Sequence, residues 1–272
     1  MKFGLIGEKL GHSYSPWIHA QLMEEPYELK ELSKEEVGPF LERREFQGIN
    51  VTIPYKQTVI PYLDELDESA EAVGAVNTIV NRNGKLIGYN TDVEGFKEML
   101  NIDGVTLEGK VVLILGNGGA SKAVRAVVKK ANPKRVVIAY RKPHPDCILT
   151  EDAYRQVADA QIIINATPVG MYPNVKEVPI DVSRFAHLEA VADVVYNPLR
   201  TQFILDGAAC GAKVSTGLSM LIAQAICANE KFRDVQLDHS MILTLTRKLQ
   251  VEKENIVLVG MPSSGKTTLA SA

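Results

Sequence analysis

Lys110 to Ala131 reads KVVLILGNGGASKAVRAVVKKA, and this stretch decides the fold. An aliphatic run, Val111 to Leu115, leads directly into Gly116-Asn117-Gly118-Gly119-Ala120 and then into a helical pattern. Apolar side chains without polar alternation suit a parallel strand buried on both faces. A glycine-rich turn between such a strand and a helix sets free backbone N–H groups and the positive helix end where a dinucleotide pyrophosphate can lie. Gly116 permits the tight turn, and Gly118 lets the backbone approach phosphate. Ser121 replaces the third glycine of the full fingerprint. Because any tight turn uses glycine, the flanking strand and helix carry the reading.

Toward the C-terminus, the runs at 135–140 (RVVIAY), 160–166 (AQIIINA), 190–196 (AVADVVY) and 212–216 (AKVST) repeat the buried-strand pattern. They predict an α/β fold with a doubly wound, Rossmann-like domain over residues 104–218. Its second strand ends in Tyr140-Arg141-Lys142. An acidic residue there would accept from the ribose 2′-hydroxyl of NAD, whereas two cations favour the 2′-phosphate of NADP. Arg and Lys are also ordinary solvated surface residues. From Ser219 to about Leu249 the period is helical, and this closing segment, 219–250, is expected to be shared with the first domain.

Toward the N-terminus, residues 1–103 alternate strand and helix patterns. KFGLI (2–6), a helix after Pro16, YELKEL (27–32), a helix from Ser33 and GINVTI (48–53) predict a βαβ arrangement. Residues 75–81 and 85–90, separated by Arg82-Asn83-Gly84, read as a hairpin, since Asn-Gly readily takes positive φ. The polar stretch from Asn101 to Glu108 reads as a linker.

Composition fits two modest cores: 272 residues, 46% hydrophobic and 23% charged. A net charge of -3 and a pI near 6.0 offer no long-range attraction for nucleic acid or anionic lipid, which leaves a small molecule as the expected partner. Cys147, Cys210 and Cys227 show neither CxxC nor Cys/His ligand spacing, so no disulfide framework and no metal site are predicted. No apolar run approaches the roughly 18 residues that span a bilayer, and MKFGLIGEKL is too short and charged for a signal peptide. Met1 is therefore expected to begin the mature chain, and the reducing cytoplasm to be its compartment.

Several polar residues of the first domain are placed for chemistry. Ser13 and Ser15 flank Tyr14, and in an extended segment residues two apart project to one side. Their hydroxyls can grip one carboxylate, or the segment can simply cap a helix starting at Pro16. Asn50 and Thr52 share a face of the strand that Pro54 ends, leaving Lys56 on the turn beyond its carboxyl end. A lysine partly withdrawn from water can exchange a proton with a reacting oxygen, although most lysines only solvate a surface. In Asn90-Thr91-Asp92 the carboxylate can act chemically or cap the helix that begins at Val93.

Taken together, HSYSP, GINVTIPYK, GAVNT, YNTD, GNGGA, NATPVGM, YNPLRT and GLSMLIAQA resemble the shikimate dehydrogenase family in order and approximate spacing, over residues 1 to 250. The resemblance implies a dehydrogenase that moves a hydride between NADPH and 3-dehydroshikimate in chorismate biosynthesis. It implies an acid/base pair at Lys56 and Asp92. Substrate contacts are implied at Ser13, Ser15, Thr52, Lys56, Asn77, Asp92, Tyr196 and Gln224. Cofactor contacts are implied at Gly116, Asn117, Gly118, Gly119, Ala120, Arg141, Thr167, Val194 and Gly217. NADP-using members commonly end the second strand in Asn-Arg-Thr. Here Tyr140-Arg141-Lys142 keeps only the arginine. Two serines at the carboxylate grip resemble the shikimate branch more than the quinate branch. The alternatives are an NAD-preferring quinate/shikimate dehydrogenase and, from another class, a P-loop phosphotransferase.

That last alternative comes from the tail. Gly260-Met261-Pro262-Ser263-Ser264-Gly265-Lys266-Thr267 follows an apolar run and matches the P-loop pattern. It resembles the start of shikimate kinase. Residues 251–272 are too few for a kinase, which needs on the order of 100 more, so the expectation is the front of a dehydrogenase–kinase fusion or a truncation of one, without kinase activity.

Overall fold

The computed structural model describes residues 1–11 and 13–253. The predicted P-loop at Gly260 to Thr267 lies outside the described residues, as does His12 of the HSYSP motif.

One six-stranded sheet comprises β1 (Phe3–Gly7), β2 (Tyr27–Glu31), β3 (Gly48–Val51), β4 (Glu65–Leu66), β5 (Thr78–Arg82) and β6 (Lys85–Tyr89). Its order is β2-β1-β3-β5-β6-β4. Interspersed are α1 (Ser15–Ala20), α2 (Lys34–Glu42), α3 (Glu68–Val73) and α4 (Asp92–Ile102). β1, β2 and β3 run parallel through helical crossovers, as the βαβ pattern predicts, and β5 and β6 form the expected antiparallel hairpin. Asn83 and Gly84 take φ of 53° and 89° at its tip. The two-residue β4, parallel to β6, was not anticipated, because it is too short to show any alternation.

The second sheet comprises β7 (Val111–Leu115), β8 (Arg135–Tyr140), β9 (Ile148–Leu149), β10 (Ile162–Asn165), β11 (Ala190–Asp193) and β12 (Lys213–Thr216), with α5 (Gly119–Lys130), α6 (Ala153–Gln156) and α7 (Gln202–Ala209). All its pairings are parallel, in the order β12-β11-β10-β7-β8-β9. This is the doubly wound order, and the strand sequence reverses between β7 and β10, where such sheets open a crevice at their carboxyl ends. β7, β10 and β11 are buried along their whole length, which is why their sequences lack alternation.

The closing segment is two helices, α8 (Gly217–Arg233) and α9 (Met241–Lys253). The first ends where Asp234 turns left-handed, at φ 55° and ψ 48°, and caps α8. α8 reaches both sheets. Its first turn abuts the second: a Cβ on Gly217 would lie 2.4 Å from the Val194 carbonyl oxygen, so only glycine allows the approach. Its last turn carries Phe232, which packs with Phe3 and Val80 of the first sheet. Between them α8 packs against α4. There a Cβ on Gly95 would stand 2.9 Å from both Gln224 Cβ and the Met220 carbonyl oxygen. α4 in turn buries Phe96, Met99 and Leu100 with Val112 and Ile114 of β7 and Val124 of α5. Two helices thus join the sheets, and their facing ends open on one cleft.

Candidate active site

The cleft has a volume of about 460 Å³. One wall is built from the carboxyl ends of β1 and β3. Tyr55, fully buried, donates its hydroxyl to the Leu32 carbonyl at 2.6 Å, and the Lys56 carbonyl accepts from Val76 N–H at 2.7 Å. The turn after β3 is thereby fixed, and Lys56 projects from it into the cleft. Its Nζ lies 2.7 Å from Asp92 Oδ2, with side-chain exposures of 25% and 13%.

Asp92 is the first residue of α4, whose N-cap is Thr91 without a side-chain capping bond. The carboxylate therefore does not cap the helix. Its Oδ1 accepts from Asn77 Nδ2 at 2.9 Å. Asn77 is itself pinned, because its Oδ1 accepts from Thr91 N–H at 2.8 Å and from the Thr78 hydroxyl at 3.0 Å. Each Asp92 oxygen thus has its own donor, which fixes the carboxylate plane beside the ammonium. A short, half-buried charge-assisted bond of this kind keeps the pair together and ready to exchange a proton with a third group.

Every residue predicted for substrate contact lines this one cleft: Ser13, Ser15, Thr52, Lys56, Asn77, Asp92, Tyr196 and Gln224. At the start of α1 the N-cap is Tyr14 and no side chain caps the helix, so neither serine does so; Ser13 Oγ accepts from Ser15 N–H at 3.2 Å, and both serines face the cleft. Tyr196 comes from the segment after β11 and stacks obliquely on Tyr14, 5.8 Å between ring centres. Burial, with Tyr14 adding a little, raises its hydroxyl pKa. Lys9, Leu10, Met220 and Leu221 also line the cleft and were not picked out. No local signal marks Lys9 or Leu10, and Met220 and Leu221 fall within the GLSMLIAQA motif without a chemistry of their own to single them out. Tyr27 lies just behind the wall, donating to Asn50 Oδ1 at 2.7 Å and stacked 3.9 Å from His19. Burial drives that imidazole down to about 3, so it stays neutral.

The opposite wall belongs to the second sheet. Ala120, Val194 and Gly217 line the cleft itself, while Gly116, Asn117, Gly118, Gly119 and Thr167 surround the point where the strand order reverses. Gly116 takes φ 110°, and a Cβ there would fall 2.9 Å from the Ala166 carbonyl oxygen and from Thr167 Cγ2. Among the described residues nothing lies within 4 Å of a Cβ on Gly118 or Gly119, and no side chain caps α5. The open space over an uncapped helix start fits a pyrophosphate. Ser121, in place of the third glycine, donates to the Gly116 carbonyl at 2.7 Å and closes the turn from inside. Arg141 lies apart from the cleft, exposed just beyond β8.

Among the described residues a Cys227 thiol, a Glu230 oxygen and a His239 ring nitrogen fall within 4.8 Å of one another. Glu230 Oε1 already accepts from Leu237 N–H at 2.9 Å and lies 3.2 Å from His239 Nε2, which accounts for the grouping as a clasp on the end of α8. No described helix is long and apolar enough to cross a membrane.

A doubly wound sheet opening across one cleft from a lysine–aspartate pair on a second α/β unit defines a two-domain, pyridine-nucleotide-linked dehydrogenase. Comparison with known proteins agrees. Residues 5–79 match the family model described as the shikimate dehydrogenase substrate binding domain. A shikimate dehydrogenase (NADP(+)) of Clostridium beijerinckii is 39% identical over 254 residues, covering 88% of this chain and 94% of that protein. The crystal structure of shikimate dehydrogenase 1 from Peptoclostridium difficile superposes with a TM-score of 0.82 at 38% identity, over 93% of this chain and 99% of that one. The Thermus thermophilus shikimate 5-dehydrogenase, solved with NADP(H) and shikimate, gives 0.81 at 32% identity, over 91% and 99%. The chain belongs to the shikimate dehydrogenase family.

Proposed function

We propose that this protein reduces 3-dehydroshikimate to shikimate, reversibly, with NADPH. The observation that carries the reading is the Lys56–Asp92 pair at 2.7 Å in a cleft whose far wall is Ala120, Val194 and Gly217. An acid/base pair and a dinucleotide turn open on the same space.

NADPH, when bound along the Gly116 to Ala120 turn, supplies the hydride. Ser13 and Ser15 hold the substrate carboxylate, and Thr52, Asn77, Tyr196 and Gln224 orient the ring. Lys56 Nζ gives its proton to the carbonyl oxygen as reduction proceeds and takes it back in the reverse direction. Asp92, held by Asn77, keeps that ammonium aimed and accepts a hydrogen bond from the hydroxyl that forms on the same substrate oxygen. Much of the rate comes from such positioning, and proton transfer from a placed group adds about 10²–10⁴-fold. We assign residues 1–103 to substrate binding, 104–218 to NADP binding and 219–250 to the closing helices, with the cytoplasm as the setting. The pattern from Gly260 to Thr267, in residues 251–272, is read on sequence alone as a kinase-type phosphate loop, and ATP binding to the whole chain tests it.

The deciding experiment follows reduced-nicotinamide absorbance with shikimate and quinate, each with NADP and NAD. Turnover confined to shikimate with NADP is expected. Faster turnover of quinate with NAD would replace this reading with that of a quinate-using enzyme.

A further inference from the structure

Arg125 sits on α5, the helix that begins at the glycine-rich turn, and among the described residues it forms no ion pair. Its Nη2 donates to Asn117 Oδ1 at 2.5 Å and lies 3.9 Å from Cys147 Sγ. Neither partner is a carboxylate. Its Nε is buried and, among the described residues, has no hydrogen-bond partner. A guanidinium partly drawn out of water normally has a carboxylate or phosphate to compensate the lost hydration, and an orphaned donor on a charged group is costlier still. A fold that keeps such a group has an anion to place against it.

The two contacts also say where the cation stands. Asn117 belongs to the glycine-rich turn, and Cys147 to the segment leading from β8 to β9. β7 and β8 run side by side, Leu115 opposite Ala139, and Gly116 N–H donates to the Ala139 carbonyl at 2.8 Å. Arg125 therefore bridges the turn after β7 and the connection after β8. In doubly wound folds that is the region facing the adenosine ribose. Arg141, exposed at the end of β8, also carries no ion pair among the described residues.

We infer that Arg125 is the half-buried arm of a phosphate clamp, receiving the 2′-phosphate of an adenosine ribose with Arg141 as the exposed arm. This deepens the cofactor reading proposed above and rests on it. It also explains how a β8 tip of Tyr140-Arg141-Lys142 can select NADP: the second strong donor comes from α5 instead of from the strand end.

Calorimetric titration of the whole chain with adenosine 2′,5′-bisphosphate and with 5′-AMP tests the inference without turnover. The wild type should bind the bisphosphate more tightly. Arg125→Met should weaken the bisphosphate by about tenfold or more, the loss expected for one charge-assisted bond, and leave 5′-AMP unchanged. Arg125→Gln, which keeps a donor toward Asn117 without the charge, should behave alike and serves if the methionine variant fails to fold. Equal weakening of both nucleotides would make Arg125 a brace for the turn and overturn the assignment, as would an unchanged preference in both variants. Equal binding of the two nucleotides by the wild type would instead bring down the NADP reading itself.

Discussion

Tyr27→Phe removes one oxygen from behind the substrate wall. That phenol donates to Asn50 Oδ1 at 2.7 Å. The Ser15 hydroxyl lies against the same phenol and partly offsets the burial that raises its pKa. Asn50 is 6% exposed, and its Nδ2 already donates to the Asn77 carbonyl at 3.2 Å and the Thr78 hydroxyl at 3.0 Å. Its amide cannot flip to compensate, because Oδ1 would then face a carbonyl. The ring keeps its stack on His19, so almost no volume is lost. The cost is that of a buried acceptor left unsatisfied, about 1–3 kcal/mol, or a fall in Tm of roughly 3–8 °C for a chain of this size. Asn50 and Ser15 both face the cleft, so KM for shikimate should rise while KM for the dinucleotide holds. Thermal denaturation and steady-state kinetics read the two effects separately. A Tm within about 1 °C of wild type would refute the energetic reasoning. A lowered Tm with KM for shikimate unchanged would refute the coupling of Tyr27 to the site.

Lys56→Ala should cut kcat by about 10²–10⁴-fold with a much smaller change in KM, because its contribution grows in the transition state; weaker binding at full kcat would remove Lys56 from the chemistry. Burial pushes the Asp193 carboxyl up to about 6, with the Thr201 hydroxyl, Val195 N–H and Asn165 amide pulling the other way. Since that is above its ordinary 3.8, the folded state holds the extra proton. This contribution to stability is complete below the unfolded value and is lost as pH rises through 6, on the order of 3 kcal/mol in all. Denaturant melts from pH 4 to 7 should show the wild type losing this increment relative to Asp193→Asn, and a constant difference would count against it. Gly116→Ala, at φ 110° and 2.9 Å from a carbonyl oxygen, should cost about 1–3 kcal/mol and weaken dinucleotide binding; native Tm and affinity in that variant would show the turn tolerates a side chain.

What could be read from the sequence was whatever repeats a period or a turn chemistry. The unbroken aliphatic runs from Val111 and from Ile162 announce doubly buried strands, and Asn83-Gly84 announces a hairpin. The site residues were legible as a set only through the ordered family motifs, since a single lysine after a strand looks like any solvated lysine. Leu221 reaches the cleft by the packing of α8 across both sheets, and Lys9 by following β1 to the carboxyl end of the first sheet; both placements are long-range facts. Tyr27 opens a strand that is otherwise exposed, Glu28 to Glu31, so only its aromatic character hints that it points inward. Arg125 was hidden for the opposite reason. On an amphipathic helix an arginine is expected to be solvated, and only the structure reveals a guanidinium with no counter-charge among the described residues.

α8 carries Gly217 against the Val194 carbonyl and, two turns on, Gln224 beside Gly95, so both walls of the cleft are bolted to one rod. From Gly217 to Gln224 the rise is roughly 10 Å, and a single inserted residue would rotate everything beyond it by about 100°. Loops such as the one between β8 and β9 can gain or lose residues as lineages diverge. The first half of α8 cannot, and its length should stay invariant even where most of its side chains drift.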